Sequence, residues 1–76
     1  MKNLNSKQKT KIKVGKLYKH YKGNVYKVLC LAKHSETCED MVVYQSVKNN
    51  DVWTRPLYMW DENIPDLNVK RFELID

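Results

Sequence analysis

Beyond residue 13 the chain breaks into short runs rich in Tyr, Val, Leu and Trp, separated at close intervals by Gly, Asn, Asp and Ser. Such punctuation marks β-strands joined by tight reversals, and the apolar spacing of an amphipathic helix is nowhere sustained. Residues 16–21 read as a first strand, closed by Lys22-Gly23-Asn24, where Gly and Asn tolerate the left-handed backbone of a hairpin turn. Residues 25–33 read as a second strand. Plain alternation puts Tyr26, Val28, Cys30 and Ala32 on one face, with Val25, Leu29 and Leu31 on the other. The polar stretch 34–39 reverses the chain into a third strand over 41–47, and Asn49-Asn50-Asp51 reverses it again into residues 52–60. Pro56 has no N–H for a ladder, so this fourth strand runs along an edge, bulges or breaks there. Residues 61–69 read as a loop with room for one helical turn, and residues 70–75 as a last strand.

Five short strands in so few residues predict an all-β fold, most economically a small five-stranded SH3-like barrel that leaves few exposed edges. An OB-type barrel also has five strands, but its strands run longer than this chain allows. With 76 residues there is one domain and little room for both a core and a deep substrate cavity, which disfavours an enzyme. No run of 18 or more apolar residues occurs, so no membrane span is expected, and the lysine-rich start lacks the apolar stretch of a secretory signal. The expected setting is the cytoplasm, with the protein a monomer.

Charge changes the picture in one respect. The net charge is +5, yet residues 1–16 hold six lysines and no acid, while the rest carries eight basic against nine acidic residues. The chain is therefore divided into a flexible Lys-rich leader, residues 1–13, and a barrel domain, residues 14–76. The leader holds too few apolar groups to offset the entropy of ordering it. Weak, salt-sensitive contact with nucleic acid through Lys2, Lys7, Lys9, Lys11 and Lys13 is one use for it, and a solubilising tail is the plainer one.

His20-Tyr21-Lys22-Gly23, His34-Ser35-Glu36-Thr37, Val43-Tyr44-Gln45, Trp53 with Arg55-Pro56, Met59-Trp60 and Arg71-Phe72 follow one another in a characteristic order and spacing. Over residues 14–75 this pattern resembles small bacterial proteins classed as domain of unknown function 1653. The resemblance implies an SH3-like barrel and no particular activity. The chain departs from the pattern at Trp60, where Phe is expected, and at Lys70, where Pro is expected. The first change keeps an aromatic anchor, and the second affects only where the last strand starts.

Three groupings invite chemistry. Cys30, His34 and Cys38, with His20 as a fourth ligand, have the residue types of a zinc site. Four residues of extended strand span about 13 Å, however, too far for Cys30 and His34 to share one metal. No metal or cofactor is expected. A hairpin turning near Glu36 and Thr37 sets Cys30 opposite Val43 or Tyr44 rather than Cys38, leaving both thiols free. In that turn Cys38 falls where positive φ is needed, at a cost of about 1 kcal/mol. His34-Ser35-Glu36 contains the residue types of a hydrolase, but neighbours on a strand point to opposite faces and no oxyanion donor is recognisable. Turn chemistry, with the Ser35 hydroxyl capping the reversal, is the better reading.

The third grouping is aromatic: Tyr18, Tyr21, Tyr26, Tyr44, Trp53, Tyr58 and Trp60. Part of this set must be core, and part is free to line a groove beside polar groups. The expected function is a non-enzymatic binding module, taking an unidentified protein or peptide ligand through His20, His34, Tyr44, Gln45, Trp53 and Arg55. A nucleic-acid accessory protein using the leader is the alternative, and a hydrolase using His20 or His34 stands behind both. For Arg55, an ion pair with a carboxylate is as good an expectation as a ligand contact.

Overall fold

The computed structural model describes residues 12–75, so Lys2, Lys7, Lys9 and Lys11 of the leader lie outside the described residues. The chain is almost wholly β. β1 (Leu17–His20), β2 (Val25–Lys33), β3 (Asp40–Ser46) and β4 (Val52–Pro56) run in sequence. A helical turn, α1 (Leu57–Trp60), is followed by a small hairpin of β5 (Asn63–Ile64) and β6 (Val69–Lys70), then β7 (Phe72–Leu74). The main sheet is five-stranded and antiparallel, in the order β4-β3-β2-β1-β7, so the last strand returns to the first. The all-β, five-stranded form expected of the sequence is therefore present.

Each reversal has a local cause. Gly23 takes φ +113° between β1 and β2, where a Cβ would be strained. Between β2 and β3 the imidazole of His34 caps the turn: its Nδ1 accepts the backbone N–H groups of Glu36 (3.1 Å) and Thr37 (3.4 Å). The Thr37 hydroxyl then accepts the Glu39 N–H at 3.2 Å. The capping expected of Ser35 is thus carried out by its neighbours. Cys38 does adopt positive φ, 62°, and Cys30 faces Val43 across the ladder, with both thiols free. After β3 the buried Ser46 hydroxyl accepts from Lys48 and Asn49, and Asn50 supplies the left-handed residue at φ 67°.

Two departures from the sequence expectation reshape the molecule. A register shift between Val28 and Cys30 makes a β-bulge at Leu29, and a single extra residue exchanges the faces of everything beyond it. Leu31, instead of Cys30, therefore packs against the core with Val28, while Ala32 turns to the outer face with Met41 and Val43. The second departure is at Pro56, which pairs with Met41 as the end of edge strand β4. The helical turn follows at once, at residues 57–60 rather than in the 61–69 segment, which instead forms the β5–β6 hairpin. The turn swings Trp60 into the core, where only 2% of it is exposed.

The core comprises Ile12, Tyr18, Val28, Val42, Tyr44, Trp60 and Phe72. Val28 and Val42, fully enclosed, each contribute about 1.5–3 kcal/mol by leaving water. Ile12, counted with the leader on composition, is buried among them, and the Lys13 N–H donates to the Tyr18 hydroxyl at 2.9 Å. The described residues contain no helix long and apolar enough to cross a membrane.

Candidate binding face

Register decides which of the six expected site residues share a face. His20 stands opposite Phe72, Tyr44 opposite Trp53, and Val42 opposite Arg55. Directly opposed residues project to the same side of an antiparallel sheet. By register His20, Tyr44, Trp53 and Arg55 consequently lie on the core-facing side, spread over three strands, β1, β3 and β4. Gln45 projects to the other side, and its amide donates to the Asn50 carbonyl at 3.0 Å, bracing the β3–β4 turn. His34 lies beyond the end of β2, where its ring caps the turn already described. It also borders a cavity of about 470 Å³ with Ala32, Met41, Val43 and Thr54, and Trp53, at the sheet edge, borders that cavity too, so it is shared between the two sides. Four expected residues are brought to one face, and two are not.

Phe72 is the hub of that face. Its ring stacks on Trp60 at 3.7 Å with the planes 2° apart, and meets His20, Tyr44 and Tyr26 edge-on at 4.9, 5.7 and 5.9 Å. The guanidinium carbon of Arg55 lies 5.4 Å from the same ring centroid, within cation–π range. Arg55 Nε also donates to the Tyr44 hydroxyl at 3.1 Å. Tyr44 is itself 5% exposed, so it positions Arg55 rather than offering a stacking surface. Among the described residues no carboxylate pairs with Arg55.

His20 is half-buried between Tyr21, at 4.6 Å, and Phe72. Burial and then the charges of Arg55, Arg71 and Lys22 hold its pKa below the ordinary value of 6.5. The Lys22 backbone N–H donates to its Nδ1 at 3.2 Å. A neutral imidazole accepting at Nδ1 carries its proton on Nε2, so His20 presents an N–H donor. Arg71, just before β7, donates from one terminal nitrogen to Glu62 at 3.0 Å, while its Nε is buried without a partner. The rim is thus aromatic at its base and rich in N–H donors above.

Arg71 and Phe72 were legible in the sequence only as a motif, without a role. Phe72 is the one phenylalanine in the chain and directly follows the cations Lys70 and Arg71, and that was the available signal. Cys30, His34 and Cys38 do not assemble: among the described residues no group of three or more His, Cys, Asp or Glu side chains could hold a metal ion.

Comparison with known proteins adds one finding. Residues 16–74 match the family described as "Protein of unknown function (DUF1653)". No curated protein and no solved structure matches the chain.

Proposed function

Since the chain belongs to that family of proteins of unknown function, which brings no activity with it, we propose that it is a non-enzymatic binding module. Its ligand lies against the face bearing His20, Trp53 and Arg55, with Tyr44 and Phe72 as the support beneath them. One observation carries this reading. Arg55, half-buried, is held by the Tyr44 hydroxyl and the Phe72 ring, with no carboxylate partner among the described residues. A guanidinium fixed in this way keeps its two terminal nitrogens free for a ligand at little further cost in side-chain entropy. Trp53, 53% exposed on edge strand β4, adds an apolar surface beside it. An extended peptide suits such a site, since main-chain groups can pair with the edge while side chains meet the aromatic rim.

The experiment is a chemical-shift titration of the labelled 76-residue protein with pools of short peptides and of single-stranded oligonucleotides. Saturable shifts at His20, Trp53 and Arg55 are expected. Shifts confined to Lys2, Lys7, Lys9 and Lys11, lost with rising salt, would replace this reading with nucleic-acid contact through the leader.

A further inference from the structure

The donors on this face have something in common: each keeps at least one N–H group that no acceptor among the described residues meets. In the neutral tautomer set by Lys22, His20 offers Nε2–H, which has no described partner. Arg55 has spent Nε on Tyr44 and keeps both terminal nitrogens. Arg71 keeps a buried Nε–H with no partner, the kind of group that natural structures seldom leave unmatched. These groups come from β1, from β4 and from the residue before β7; Phe72 gathers two of them, His20 and Arg55 both lying within 5.4 Å of its ring centroid, and the third, Arg71, adjoins Phe72 in the chain, its carbonyl accepting the Tyr21 N–H beside His20 at 2.9 Å. The charged and titratable groups facing His20 are Arg55, Arg71 and Lys22, with Tyr21 and Phe72 as aromatic walls. Among the described residues the acid bonded to the cluster is Glu62, which engages a single terminal nitrogen of Arg71. Cations held together with so little neutralisation favour an anion, and a planar guanidinium favours one with two coplanar oxygens or a phosphate.

We infer that His20, Arg55 and Arg71 form an oxyanion receptor, taking a carboxylate or phosphate group of the ligand above the Phe72 ring. The inference rests on the binding face proposed above and names the chemistry that this face recognises. In the complex Arg55 donates from its terminal nitrogens, His20 donates from Nε2, and Arg71 supplies the third cationic wall. Glu62 acts as an internal competitor for Arg71. Because a bound anion favours the imidazolium, occupancy raises the pKa of His20 and binding tightens as pH falls.

The test follows the His20 ring protons and the arginine Nε–H groups by NMR, using sodium acetate and inorganic phosphate against sodium chloride at matched ionic strength. Saturable shifts with either oxyanion, accompanied by a rise in the His20 pKa, are the expected result. Acetate alone saturating assigns the group to a carboxylate, phosphate alone to a phosphoryl group, and both support the receptor. Arg55→Gln should weaken binding about tenfold or more, as expected for loss of a charge-assisted bond. Glu62→Gln leaves the Tyr44–Arg55 contact in place and frees Arg71, so it should tighten binding; unchanged or weaker binding counts against the proposal. Shifts indistinguishable from those in chloride overturn the receptor. If peptides still shift Trp53 and His20 in that case, the binding face stands without it, and if they are silent too, both readings fall.

Discussion

Replacing Phe72 by Ala strikes the fold and the candidate site together. The ring is 4% exposed, stacks on Trp60 at 3.7 Å and touches His20, Tyr44 and Tyr26 within 5.9 Å. Truncation of such a side chain costs about 3–5 kcal/mol, because the lost transfer energy is joined by the cavity left behind. A chain of 76 residues has a stability of roughly 4–11 kcal/mol at typical values per residue. The substitution therefore removes between about a third and the whole of it. Phe72→Leu, which retains much of the volume, should cost nearer 1.5 kcal/mol. Tyr58→Ala, at a side chain 67% exposed on α1, should stay within about 0.5 kcal/mol. Urea titrations followed by far-ultraviolet circular dichroism and tryptophan fluorescence measure all three. With a slope of about 1 kcal/mol per molar urea, the Ala variant loses roughly 3 M or more in midpoint or is unfolded without denaturant. A loss below 1 kcal/mol at unchanged slope would refute Phe72 as the hub.

Two further outcomes are expected. Cys38→Gly relieves a non-glycine residue at φ 62° and should raise stability by about 1 kcal/mol in the same titration, whereas a loss would show that the turn carries no strain. His20 resists protonation in the folded state, so the unfolded chain binds the proton more readily. Its contribution to stability is complete above pH 6.5 and is lost as pH falls through the lower folded value. Thermal melts across this range should decline on acidification, and His20→Gln should flatten that part of the profile.

What could be read from the sequence, and what could not, divides along physical lines. Turn chemistry was legible because it is local: Gly23, Cys38 and Asn50 all take the positive φ that their places between strands demand. Pro56 was legible for the same reason, since a residue without an N–H must end or edge a ladder. The bulge at Leu29 was not, because nothing in an alternating run marks an extra residue, and it exchanged Cys30 for Leu31 on the core side. Ile12 looked like part of a charged leader until its packing with the core supplied the energy that composition could not show.

The candidate site followed the same division. His20, Tyr44, Trp53 and Arg55 were drawn to attention by residue type, and register placed them on one face. Gln45 and His34 were drawn in on the same grounds and lie apart from that face, each making a hydrogen bond in a turn. The gathering role of Phe72 and the unpartnered Nε of Arg71 depend on β7 returning beside β1, a long-range pairing that residue patterns do not encode.

The account depends on His20, Arg55 and Arg71 meeting across strands far apart in sequence, and the His20 imidazole reports on that meeting directly. An NMR pH titration of its ring protons, in the wild type and in Arg55→Gln, should give a wild-type pKa below 6.5 and a higher one in the variant, because a neighbouring positive charge has been removed. A wild-type value at or above 6.5 that does not respond to the substitution would contradict the cationic cluster and the binding face built on it.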